Sequence, residues 1–385
     1  MVVDADVSAT HHSMAEYRYA DDGPLWAMRF LPWSPRHDKF VQETSILDGE
    51  DDTAKMPVIS HIVITCHHSI TDGFSFLQMM RKLLFLINDV VTGTIRNDNQ
   101  QIGVLTGREE EICVLRDMER GFREDDNLYQ ARLKYSMEIL HDNLFVQTFI
   151  PPKGISPTTL CYRQIFDKET TKKFAINCKE EGVTFHTGFS SVIDASLVEL
   201  LNKSGVKNNQ YVNNSIHPVN NRCYYNNDSK SLGCIMGSIG IKMISPADIL
   251  EKFWDYAKQF HSKFKEQHKI KNSLERFVFA EMGNPIFAKV TKLNSPELPL
   301  KPAINYVLNN MCDVSDALDI ESEHVRLQFY DRLTVLKCFP VLWGSTIQTF
   351  RGQLMHSVHY NAHYMEANTA QTIAKTVAEI IMKVS

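Results

Sequence analysis

The chain has 385 residues, 43% of them hydrophobic and 23% charged, with a formal net charge of −5 at neutral pH. That length exceeds one compact core and predicts two lobes of ordinary size, and the composition excludes fibrous and disordered classes. The mildly acidic balance offers no electrostatic footprint for nucleic acid, and no apolar run approaches the ~20 residues of a bilayer span.

The opening residues, Met1 to Ser13, lack the basic and apolar regions of a secretory signal. Eight cysteines, at 66, 113, 161, 178, 223, 234, 312 and 338, include no C-x-x-C pair. Such scatter predicts thiols in a reducing compartment, hence a cytoplasmic protein, rather than disulfides or a zinc site. Along the chain, strands are expected at Leu25–Leu31 and Ile59–Cys66. A helix is expected over Gly73–Asp89, where Phe76, Met80, Leu83 and Ile87 recur at helical spacing and Leu77 and Leu84 widen the stripe. Residues 92–111 are polar and read as a connection, and 129–142 as another amphipathic helix. The run Pro151-Pro152-Lys153-Gly154-Ile155-Ser156-Pro157 can neither continue a helix nor sit inside a sheet. It divides a first lobe, 1–150, from a second, 158–385.

The second lobe opens with an expected strand at 159–166 and a helix at 169–181 ended by Gly182, a favourable residue just past a helix. A helix over 186–202 and a strand over 210–217 follow. Ser245 and Pro246 suit the N-cap and first position of a helix whose stripe is Phe253, Ala257, Phe260 and Phe264. Strands are expected at 323–330, 334–340 and 353–360, then a last helix from Asn368 with Ile373, Val377 and Ile380 inward. Strands interspersed with helices predict a mixed α/β protein.

The chemistry concentrates where the strand ending at Cys66 gives way to the helix from Gly73, through His67-His68-Ser69-Ile70-Thr71-Asp72. Successive strand residues point to opposite faces, so one histidine can face a cavity while the other faces the interior. The same alternation disfavours a metal site built from the pair, and no metal is expected. Asp72 can cap the helix, and Gly73 allows a tight turn or close approach of backbone to a ligand.

This stretch resembles the HHxxxDG signature of the CoA-dependent acyltransferase superfamily, which includes chloramphenicol-acetyltransferase-like enzymes and condensation domains. Pro218, Val219, Asn220 and Arg222 are similar to its PVNxR stretch, Ser231-Leu-Gly-Cys234 to its LGN with cysteine replacing asparagine, and Asn310 to the asparagine of its SNxG strand. The plant-type DFGWG motif is absent, which sets the chain nearer the alcohol and polyketide-associated branches.

The resemblance implies two chloramphenicol-acetyltransferase-like lobes of mixed sheet with flanking helices and a channel between them. Because 66 residues precede His67, it also implies a first lobe shortened at its N-terminus. It implies an acyl group moving from an acyl-CoA co-substrate to a small hydroxyl or amine acceptor, with no cofactor, in a monomer. His68 would be the general base and His67 structural. Asp72 would pair with Arg222, Gly73 would support the turn, and Asn220 and Asn310 would be substrate-channel candidates. Two alternatives are kept: a donor thioester on an acyl carrier protein, and a catalytically silent acyl-CoA-binding protein. The basic run Lys263, Lys265, His268, Lys269 and Lys271 would suit CoA phosphates, although such a run is more often a solvated helix face.

Overall fold

The computed structural model describes residues 7–20, 22–32, 60–94, 109–140, 144–149, 154–155, 157–225, 231–285, 287, 302–320, 322–336 and 341–385. Pro151 to Lys153 and Ser156 of the expected lobe boundary, Ile59, most of the 92–111 connection and Cys338 lie outside them.

The described chain opens with helix α1 (Val7–Ala15) and an antiparallel pair, β1 (Trp26–Leu31) and β2 (His61–Cys66), with Trp26 opposite Cys66. The helix expected from Gly73 is α2 (Gly73–Thr92). Gly93, at φ 67°, closes it with a left-handed cap. The apolar stripe of α2 does not stay within the N-terminal part. Phe76, Leu77, Met80 and Leu84 close on Val314, Leu318, Tyr330 and Phe350, so the helix after the histidines is seated on the second half of the chain.

Helices α3 (Glu109–Glu124), α4 (Asp126–Glu138) and α5 (Leu144–Thr148) follow. Residues 109–111, read as connection, instead form the acidic first turn of α3, favourable against the helix dipole. Phe145 of α5 is buried beside Trp343 and stacks on Phe149, and Tyr135 of α4 donates to the carbonyl of Gly240. Helices α4 and α5 thus pack on the large sheet.

That sheet contains β3 (Thr159–Ile165), β4 (Gln210–Asn220), β5 (Met236–Pro246), β6 (Ile304–Asp313), β7 (Val341–Phe350) and β8 (Gln353–Asn361), in the order β3-β8-β7-β6-β4-β5. The β4–β6 and β6–β7 pairs are parallel and the others antiparallel. Between them run α6 (Lys168–Glu180), α7 (Phe185–Lys203), α8 (Phe253–Lys269), α9 (Asn272–Glu281) and the short α10 (Ser315–Leu318), and the terminal α11 (Ala367–Val384) follows β8. One face of the sheet carries Tyr306, Leu308, Trp343, Ile347, Leu354 and Val358 into a core shared with α7 and α11, including Ile373, Val377 and Ile380. Helix α7 is buried nearly all round. Its Ser190, Ser191 and Ser196 hydroxyls donate to carbonyls of the preceding turn, so these polar groups are buried with partners.

Three expectations are corrected. Ser245 and Pro246 do not start a helix. Strand β5 runs through both on the sheet's edge, where proline owes the ladder no N–H, and α8 begins only at Phe253. Residues 323–330 and 334–336 form no strand. Their polar groups go to side chains of the neighbouring sheet: Thr334 N–H to His359 Nδ1, Leu336 N–H to Thr159 Oγ1, and the Tyr330 carbonyl from Gln348. Residues 337–340 lie outside the described residues. The strand in this region is β7, whose residues are almost all buried on both faces and so show no alternation to read.

Candidate active site

The turn carrying the two histidines is built between β2 and α2. His67 extends the β1–β2 pairing by one bond, its N–H donating to the carbonyl of Leu25 at 2.8 Å, and Ile70 N–H then turns back to the carbonyl of His67. Asp72, in extended conformation, accepts from Ser75 N–H at 2.9 Å through Oδ1 and caps α2. At Gly73 a β-carbon would lie 2.5 Å from Met311 Sδ and 3.4 Å from Arg332 Nη1. Glycine is what lets the helix start approach the end of β6.

Asp72 and Arg222 meet as a fork: Nη1 donates to Oδ2 at 2.7 Å and Nη2 to Oδ1 at 3.3 Å. Both residues are buried, at 5% and 4% exposure, and every remaining polar edge is used. Asp72 Oδ2 also accepts from Ile235 N–H at 2.9 Å. The guanidinium donates to the carbonyls of Ser231 and Gly233 and to Ser75 Oγ, and its carbon lies 4.6 Å from the Phe74 ring centroid. Ser75 Oγ in turn bonds both the N–H and the carbonyl of Gly233. The fork therefore ties the HHxxxDG turn to the loop 231–235. A buried ion pair is tolerated when its hydrogen bonds are filled in this way.

His67 and His68 have different surroundings. His67 is half-buried with its ring edge-on to Tyr19 at 5.5 Å, and its Nδ1 contacts Ser69 Oγ at 2.7 Å and accepts from Ser69 N–H at 3.3 Å. Because that N–H can only donate, Nδ1 carries a lone pair and the neutral ring holds its proton on Nε2. His68 is exposed, with Nδ1 3.5 Å from Sγ of Cys234. An exposed imidazole of this kind can exchange protons with a small molecule, whereas His67 is committed to the turn.

Asn220 and Asn310 both spend their amide oxygens on local backbone. Asn220 accepts from Arg222 N–H and Nη1, each at 3.1 Å, and so belongs to the support of the arginine. Asn310 accepts from Cys312 N–H at 2.7 Å, closing an irregular stretch of β6 next to Met311. In the basic run, Lys265 and Lys269 are exposed, Lys263 donates to the carbonyl of Lys242, and His268 packs on Tyr224. Tyr224 lies in the 3-10 turn Asn221–Tyr224 that holds Arg222, so the end of α8 adjoins the site. The sequence reading missed Ser75 and Cys234 as site residues. Ser75 sits in a helical stripe that gives no sign of its partners. Cys234 stood out only as a departure from the LGN pattern.

No protein-family model and no curated protein matches the chain in sequence. Solved structures do match. The trichothecene 15-O-acetyltransferase TRI3 of Fusarium sporotrichioides aligns with a TM-score of 0.62 and 11% identity, over 94% of this chain and 71% of that one. The X-domain of teicoplanin biosynthesis, from its complex with OxyB, aligns at 0.58 and 13%, over 99% and 75%. The condensation domain of the monacolin K polyketide synthase MokA aligns at 0.53 and 10%, over 84% and 69%. What is shared at such identities is the fold: the chain has the mixed α/β architecture of the two-lobed condensation domains and acyltransferases.

Proposed function

We propose that this chain is an acyltransferase that moves an acyl group from an acyl-CoA thioester to an alcohol or amine, with His68 as general base. The observation that carries this reading is the exposed His68 imidazole, presented on a turn whose far side is fixed by the buried Asp72–Arg222 fork. A neutral imidazole can take the acceptor's proton as that group attacks the thioester carbonyl. Positioned base catalysis of this kind contributes roughly 10²–10⁴-fold. Asp72 spends its carboxylate on Arg222, Ser75 and Ile235, so its role is to hold the turn rather than to orient the imidazole. The N–H of Gly73, at the start of α2, is the candidate donor to the oxyanion that forms on attack. The reaction needs no metal or prosthetic group, because the thioester is already activated and the base is a side chain.

A second reading, prompted by the likeness to a condensation domain of a polyketide synthase, takes the acyl group from a carrier protein. Thiol release from a panel of short and long acyl-CoAs, and from acyl carrier protein loaded with the same groups, distinguishes the two donors when run with mixed alcohol and amine acceptors. Acceptor-dependent release from acyl-CoA is the expected result. Release from loaded carrier alone would reassign the donor. Acyl-CoA that binds tightly and never turns over with any acceptor would identify a silent binding protein.

A further inference from the structure

We propose that Cys234 is a second catalytic residue of this site, a nucleophile that carries the acyl group as a covalent thioester between donor and acceptor. The inference rests on the acyltransferase reading above and adds to it a residue with no part in direct transfer.

Geometry supports the pairing first. Cys234 Sγ lies 3.5 Å from His68 Nδ1, within reach for a thiol to pass its proton to an imidazole. Both groups are open to reagents, His68 exposed and Cys234 partly so.

The second observation is how the cysteine is held. Its neighbours on both sides are anchored to one cluster. The Ser231 carbonyl and the Gly233 carbonyl accept from Arg222, Gly233 N–H donates to Ser75 Oγ, and Ile235 N–H donates to Asp72. Gly233 has φ 128°, a conformation that L side chains rarely adopt, so the loop reaches Cys234 through a turn that requires glycine. Arg222, Asp72 and Ser75 therefore hold the His68 turn and the Cys234 loop face to face. Such rigidity suits a reacting pair better than an incidental surface thiol.

Burial raises the thiol of Cys66, pushes Cys161 and Cys178 up to about 12, and raises Cys223 and Cys312. Nucleophilic character depends on thiolate, and an adjacent imidazole supplies the base that makes it.

The step balances without any further reagent. As Sγ attacks the carbonyl carbon of acyl-CoA, the thiol proton passes to His68 Nδ1. The bond from that carbon to the CoA sulfur breaks, and the proton returns from the imidazolium to the CoA thiolate. Acyl-Cys234 and free CoA thiol remain. In the second half, the acceptor gives its proton to His68 as its oxygen or nitrogen attacks the acyl carbonyl. Cys234 leaves as thiolate and takes that proton back. One nitrogen thus serves both halves.

The test is intact mass and peptide mapping after incubation of the full chain with acetyl-CoA, octanoyl-CoA and the matching acyl-pantetheines, with no acceptor present. A stoichiometric burst of thiol and a hydroxylamine-labile acyl group mapped to Cys234 are expected. The label is lost in Cys234→Ala and in His68→Ala, each shown folded by circular dichroism, and it is discharged by acceptor. No adduct on the wild type overturns the proposal, as does labelling spread equally over Cys66, Cys113, Cys223 and Cys312. Reduced turnover in Cys234→Ala without any wild-type adduct also overturns it, leaving a positioning role. Acceptor-dependent turnover without an adduct would spare the acyltransferase reading. An adduct that no acceptor discharges would spare the nucleophile and remove that reading.

Discussion

Arg222 donates from all three guanidinium nitrogens, to a carboxylate, a hydroxyl and backbone carbonyls, from a position almost sealed from water. Lysine at this position would supply a charge without the planar fork and without the stack on Phe74. Removing one partner of a buried pair strands the other charge, which costs about 3–5 kcal/mol. Arg222→Ala is expected to lose stability on that scale in chemical denaturation, and Arg222→Lys to recover only part of it. Activity should fall in both, because the same side chain anchors the His68 turn and the loop 231–235. An Arg222→Lys variant with full stability and activity would show that the fork is incidental.

At the scale of elements, the site depends on how closely β5 approaches α9. A β-carbon on Gly237 would overlap the backbone oxygen of Ser273 and lie 2.7 Å from Asn221 Nδ2. Asn221 begins the 3-10 turn that holds Arg222, and Ser273 Oγ donates to it. Gly237→Ala is expected to destabilise by about 1–3 kcal/mol, as overpacking does, and to lower turnover more than Gly121→Ala, where an added β-carbon meets nothing within 4 Å. Equal turnover in the two variants would contradict this coupling. The elements legible from periodicity were the helices with one buried face, α2, α6, α8 and α11. Strand β7 was not, because burial on both faces erases alternation. The segment 322–336 misled for the opposite reason, having strand-like composition while its backbone bonds go to the side chains of His359, Thr159 and Gln348. The histidines, Asp72, Gly73 and Arg222 were legible as a motif. Ser75 and Cys234 were not, because their roles come from contacts made across 147 to 166 residues.

For the whole molecule, buried titratable groups set the response to pH. His186, His217, His356 and His359 are held well below the ordinary 6.5 by burial, His186 to about 4 and His356 to about 3. The unfolded chain binds their protons below pH 6.5 and the fold does not, so stability falls with acidification, by up to about 1.4 kcal/mol per pH unit for each group. Asp194, buried among Tyr256 and Tyr306, has the opposite sign. Burial raises it from 3.8 to about 7, so the fold holds a proton that the unfolded chain releases, and stability falls as pH rises from 4 to 7. The histidines outnumber the aspartate, and net acid lability below pH 6.5 is expected. In Asp194→Asn the opposing contribution disappears, so its stability should fall more steeply than wild type between pH 6.5 and 4 in urea titrations. Parallel profiles for the two proteins would mean that Asp194 is ionised throughout that range.

The central claim is that the exposed imidazole of His68 moves the acceptor's proton. Its most direct test is acceptor-dependent thiol release from the best acyl-CoA donor, measured for wild type beside His68→Ala, with matched circular dichroism and thermal unfolding for both. A fall of about 10²–10⁴-fold in turnover, with the fold intact, is expected. Undiminished turnover in a folded His68→Ala protein would contradict the claim and remove His68 from the chemistry.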